Sequence, residues 1–135
     1  MKDFIENIIK RFNTYKELGD KTLALLNDND MNYCPNAESN SIAVIVQHLH
    51  GNMMSRFTHF LTEDGEKPWR KRDEEFAAVH LTKEKTTGLW NEGWNAVMQS
   101  LQSLQPDDLT KTVSIRNEPL LVYDALLRQL AHYPY

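Results

Sequence analysis

Histidine is the residue type here whose placement could do chemistry, because a neutral imidazole serves both as a metal ligand and as a proton carrier near neutral pH. The chain holds five: His48, His50, His59, His80 and His132. His48 follows Ile42 and Ile45 by six and three residues, which turns it inward with those apolar side chains. His50 lies about 200° further round an ideal helix and cannot share a site with His48. His59 and His80 fall near or beyond the end of that segment and read as exposed. His132 stands one turn after Arg128 and two residues past Leu130, on a separate helical stretch. A lone inward histidine is more often a hydrogen-bonded core residue than a ligand. Two inward histidines on different helices are another matter, since helix bundles build metal sites in this way. His48 and His132 are the candidate pair.

Other chemistry is thinly represented. The sequence has no P-loop, no GxGxxG, no HExxH, no GxSxG and no CxxC. Cys34 precedes a proline and has no local base to activate it as a thiolate. Asp73-Glu74-Glu75 could pair as acid and base, but a run of carboxylates in a polar loop reads first as a solvated face. The basic run Lys67–Arg72 surrounds Trp69, a pattern that can grip a single strand of nucleic acid by charge and stacking. The acidic residues interleaved with it favour an ion-pair network within the loop instead.

Four segments with helical periodicity must position these groups. In the first, Ile5, Ile8, Ile9, Phe12, Tyr15, Leu23 and Leu26 form one apolar stripe, with a bend expected near Gly19-Asp20. It ends in the turn-forming cluster Asn27–Asp30. Ser39, Asn40 or Ser41 caps the second segment, whose buried face is read as Ile42, Ile45, Leu49, Met53, Phe57 and Phe60. Gly51 weakens that helix and implies close packing. Residues 62–81 form a long polar connection, and Trp69 and Phe76 are its expected anchors. Arg56 is a charge partner for one of its carboxylates. The third helix starts near Thr82, carries Trp90, Trp94, Val97, Met98, Leu101 and Leu104, and stops before Pro106. Thr110–Ile115 alternates like a short extended piece or half hairpin. Pro119 suits the first turn of a fourth helix carrying Val122, Ala125, Leu126, Gln129, Leu130 and Tyr133. The natural architecture is all-α, a four-helix bundle formed by residues 1–135 as one domain.

Composition narrows the classes of function. Fifteen Lys and Arg against nineteen Asp and Glu leave a net charge of −4, which opposes a dedicated nucleic-acid binder. A single cysteine excludes an internal disulfide framework and fits a reducing cytosol. The longest apolar run, Ile42–Val46, is far too short to span a membrane, and MKDFIENIIKRF does not read as a signal peptide. The expectation is a cytoplasmic protein with neither nucleic acid nor membrane as partner. A striped bundle rich in Trp, Met and Phe is expected to expose an apolar face, which points to a homodimer.

The run NSIAVIVQHLHGNMMSRFTHFLTEDGEKPWRKRDEEF, Asn40–Phe76, resembles the DinB/YfiT-like superfamily of bacterial proteins. Within it, the chain looks like a subfamily with an NSI…HL.GN..SR..FL..DGEK.WR.RDEEF pattern. The ending LLRQLAHYPY is similar to that subfamily's fourth-helix signature, in which a second His follows the first by four residues and precedes Gly-Gln. The resemblance extends over nearly the whole chain. It implies an up-down-down-up four-helix bundle, usually dimeric, with a divalent metal such as zinc or nickel held by three histidines at one end. Carried over, the second-helix ligand falls on His48 and the first fourth-helix ligand on His132. The third would fall one residue past Tyr135, so the chain is short at its C-terminal end relative to that pattern. Pro134 is expected to kink or fray the last turn.

Characterised relatives include transferases and isomerases that use low-molecular-weight thiols such as bacillithiol or mycothiol. The resemblance therefore implies a metal-dependent thiol S-transferase. The alternative is a non-enzymatic, stress-linked dimeric bundle with a vestigial metal pocket. A binding module for a small apolar ligand is a third reading. Only two inward imidazoles remain for the metal, and Asn52 and Gln129 offer poor amide donors. The pocket is expected to be empty or hold water, with metal absent or weakly bound.

Overall fold

The computed structural model describes residues 2–135 and is mostly helical, with five α-helices and one small antiparallel hairpin among the described residues. The first apolar stripe forms α1 (Lys2–Ala24), which buries Ile5, Ile8, Phe12 and Leu23. The turn cluster after it starts a new helix rather than a loop. Asn27 accepts from the Asp30 amide at 2.9 Å while the Asp30 carboxylate accepts from the Asn27 amide at 2.9 Å. That reciprocal cap satisfies two otherwise free donors and opens the short α2 (Asp28–Asn32).

Ser41 caps α3 (Ile42–Phe57), its hydroxyl accepting from the Val44 amide at 3.2 Å. The buried face differs from the expected one at its start. Ala43, Val44 and Val46 are buried, whereas Ile45 is 46% exposed. An apolar run around the whole helix carries no phase of its own, so its neighbours choose the face. Met53 and Phe57 are buried as the spacing predicts. Thr82 caps α4 (Lys83–Ser103) through the Lys85 amide at 3.1 Å.

The extended piece is half of a hairpin. Strand β1 (Thr112–Ile115) pairs with β2 (Glu118–Leu121) in the register Val113↔Leu120 and Ser114↔Pro119. Pro119 thus lies in a strand, which corrects its expected place in a helix. A two-stranded sheet is all edge, so a residue without an N–H is tolerated there. Arg116 and Asn117 make the turn with φ of 54° and 63°, the left-handed pair that a two-residue hairpin requires. Helix α5 (Val122–His132) follows directly. It ends before Pro134, so the proline kinks nothing and lies beyond the helix, where prolines are common.

Four helices, α1, α3, α4 and α5, contribute to one core. At its centre Phe12 meets Phe57, Trp94 and Tyr133 edge-on, with ring centroids 6.1–6.4 Å apart. Helix α1 continues through Gly19 to Ala24; the glycine is where the Trp90 indole seats. The Trp90 Nε1–H donates to Asp20 at 2.7 Å and locks α1 to α4.

These two contacts separate the glycines. A Cβ on Gly88 would meet nothing within 4 Å, whereas one on Gly19 would lie 2.1 Å from the Trp90 ring. Gly88→Ala should stabilise the protein by about 0.5–1 kcal/mol in urea denaturation, through lower helix entropy cost alone. Gly19→Ala should instead destabilise it by about 1–3 kcal/mol.

Candidate functional site

Helix α3 carries a polar stripe, Gln47, His48, Gly51, Asn52, Ser55 and Arg56, at successive one-turn spacings. His48 and His132 meet here, with ring centroids 5.8 Å apart and planes at 87°. His48 Nδ1 lies 3.0 Å from Glu75 Oε1, and the Phe76 ring covers one imidazole face at 4.6 Å. His132, the last residue of α5, is open to solvent. Burial of part of its ring, with His48 beside it, lowers its pKa below 6.5.

The remaining candidates lie elsewhere. His50 turns toward α4, where Nε2 stands 3.1 Å from Glu92. His59 and His80 are exposed, and Cys34 is an exposed free thiol. Asn52 is engaged, accepting from the buried Tyr133 hydroxyl at 2.8 Å. Gln129 is buried, and Arg128 is exposed.

The connection after α3 is ordered chiefly by charged residues; of its two expected aromatic anchors, Phe76 packs on the His48 ring of α3, and both rings stay partly exposed. Trp69 is 55% exposed and Phe76 47% exposed. Buried instead are Lys67, Glu75 and the Arg70 side chain, the last only 1% exposed. Reading Asp73-Glu74-Glu75 as a wholly solvated face is corrected, because Glu75 points inward. Arg70 grips Glu75 with two bonds, Nε to Oε2 at 2.8 Å and Nη2 to Oε1 at 2.9 Å. Buried charge survives where it is paired or its hydrogen-bonding capacity is used: Arg70 and Glu75 pair with each other, and the Lys67 ammonium is spent on backbone carbonyls.

The ion-pair network expected of the loop exists, and it reaches further. Glu66 bonds Arg70 at 3.3 Å and Arg116 of the hairpin turn at 3.0 Å, and faces Arg56 at 3.6 Å and Arg72 at 3.8 Å. Ser55 donates to the Gly65 carbonyl at 2.7 Å and accepts from the Lys67 amide at 2.9 Å. Lys67 Nζ donates to the carbonyls of Ser55 and Asp64 at 2.7 and 2.6 Å. Asp64 accepts from the amides of Glu66, Arg116 and Asn117 and from the Ser114 hydroxyl. Burial opposes its ionisation, but these donors outweigh it and hold Asp64 well below the usual carboxylate range.

Sequence reasoning named the two imidazoles and missed Glu75. A signal was available: polar residues recur on α3 every four positions at His48, Asn52 and Arg56, with Gly51 between them. A Cβ on Gly51 would lie 2.0 Å from Glu75 Oε2, so the glycine makes room for the carboxylate. Gln47 completes the seat by donating to the carbonyls of Glu74 and Glu75 at 3.1 and 3.0 Å.

The donor chemistry suits two positions of a divalent ion. Two imidazoles on one tetrahedral ion, with metal–nitrogen bonds of about 2.0–2.1 Å, stand about 5 Å apart between ring centroids. The observed separation is close to that. Metal-binding histidines also commonly place their second nitrogen on a carboxylate, as His48 does on Glu75. Among the described residues, no group of three or more His, Cys, Asp or Glu side chains forms a metal cluster. None of the helices described is long and apolar enough to cross a membrane.

Two measurements check this geometry. Gly51→Ala should expel Glu75, lower stability by about 1–3 kcal/mol and expose residues 62–76 to limited proteolysis. In metal-free protein followed by NMR, His132 should titrate below 6.5, and His48→Ala should move it upward. Because folding weakens its hold on the proton, its contribution to stability is complete above 6.5. That contribution is lost as pH falls through the lower folded value.

No curated protein matches this sequence. A family model described as "Protein of unknown function (DUF1572)" matches residues 1–135, and on that match the chain belongs to the DUF1572 family.

Proposed function

We propose that this chain is a DinB-like up-down-down-up four-helix bundle, α1, α3, α4 and α5 being its long members, that holds a divalent metal weakly through His48 and His132. The observation that carries the reading is the approach of two imidazoles from separate helices to 5.8 Å between ring centroids. The metal is zinc or nickel, both of which imidazole suits. Bound there with open positions, it would lower the pKa of a coordinated thiol so that a thiolate persists at neutral pH. That chemistry is the one a bacterial thiol S-transferase of the bacillithiol type needs, in a cytoplasmic homodimer. Phe76 lies on one face of His48, and His132 is exposed to solvent, the side from which a small thiol would approach.

A second reading has its own support. Among the described residues no group of three or more His, Cys, Asp or Glu side chains is assembled, which suits a non-enzymatic dimer with a vestigial pocket.

Calorimetric titration of the full chain with Zn²⁺ or Ni²⁺ tests the first reading. One weak equivalent is expected, removable by dialysis and lost in both His48→Ala and His132→Ala. No binding in the wild type, or binding that survives both substitutions, would sink it. Metal-dependent conjugation of bacillithiol to an electrophile, abolished by His48→Ala, separates the transferase from the vestigial bundle. Sedimentation at micromolar concentration should show a dimer under either reading.

A further inference from the structure

We infer that Glu75 is the positioning residue of the site: it fixes His48 in the Nδ1–H tautomer and leaves Nε2 as the ligating atom. The inference rests on the metal reading above for its consequence, but on hydrogen-bond chemistry alone for its substance.

A guanidinium has donors and no acceptor, so both Glu75 oxygens accept from Arg70, at 2.8 and 2.9 Å. The oxygen that faces His48 therefore belongs to a carboxylate, which has no proton to give. At 3.0 Å the Nδ1 of His48 must be the donor. In a neutral imidazole the other nitrogen is then bare, with its lone pair free for a metal. Phe76, against the imidazole face at 4.6 Å, opposes rotation of the ring.

Glu75 is itself held so that it cannot move onto a metal in place of His48. Its side chain is almost fully buried, its backbone carbonyl accepts from Gln47, and Gly51 leaves room for the carboxylate against α3. Arg70 in turn is held by Glu66 at 3.3 Å. The loop is thus a splint for one imidazole, and a run of charged residues remote in sequence from His48 decides which of its nitrogens is available.

Long-range proton–nitrogen NMR reads the tautomer directly in metal-free protein. Wild-type His48 should show the Nδ1–H form, and Glu75→Gln, whose amide can donate as well as accept, should shift it toward a mixture. The same substitution should weaken Zn²⁺ or Ni²⁺ binding about 10–100-fold, with His132 still in place. A merely structural role would lower stability and leave the tautomer unmoved. An Nε2–H form in the wild type, or an unchanged tautomer in a folded Glu75→Gln variant, would overturn the inference. If Glu75→Gln does not fold, the wild-type tautomer still decides. If the wild type binds no metal yet shows the Nδ1–H form, the metal reading fails and the positioning stands.

Discussion

The Arg70–Glu75 pair is the interaction on which the rest of this site depends. Two charges taken out of water lose several kcal/mol of hydration each, and their attraction offsets that only when geometry is good and every remaining lone pair is used. Here the fork of Arg70 meets both carboxylate oxygens, and the oxygen with capacity to spare takes His48. Deleting either partner of such a pair would strand the other charge in the interior, a loss of about 3–5 kcal/mol in comparable cases. The sequence around the pair is shaped to it, with Gly51 giving space and Gln47 taking the carbonyls of Glu74 and Glu75.

The pair is tied through Glu66 to the hairpin. Glu66 connects Arg70 to Arg116, and Asp64 gathers the amides of Arg116 and Asn117. The loop is thereby tied to the hairpin, and the Gly65 amide donates to the Ser114 carbonyl at 2.8 Å. Arg56 and Ser55 of α3 close the arrangement from the helix side, each donating to the Gly65 carbonyl. A long polar connection usually moves because little holds it. This one is held by a shared set of buried and half-buried ions, with Trp69 and Phe76 partly in solvent.

The other imidazole is positioned by the aromatic core. Tyr133, next to His132, is buried against Phe12 and Trp94, and its hydroxyl reaches Asn52 on α3 at 2.8 Å. Asn52 lies one helical turn after His48. The same stretch of α3 therefore orients His48 through Glu75 and anchors the end of α5 through Asn52. Two rigid elements sharing one support limit the relative displacement of the two imidazoles.

By itself the sequence determined what lies within a helical turn of each residue. The stripes of α1 and α4, a cap for α3 among Ser39, Asn40 and Ser41, the Thr82 cap and the extended character within Thr110–Ile115 are local facts written in spacing. The tertiary structure decided the face on which the apolar start of α3 is buried, since Ala43, Val44, Ile45 and Val46 suit any phase. It also decided that Pro119 enters a strand, because β1 needed a partner that local preference does not supply. Above all it decided which charges are buried. Fifteen basic and nineteen acidic side chains can pair in many ways, and composition does not distinguish Glu75 from its neighbours Asp73 and Glu74. Periodicity acts over about four residues, whereas burying this carboxylate needs a cation from its own loop together with a second donor and a glycine from α3. Only the folded chain brings those three together.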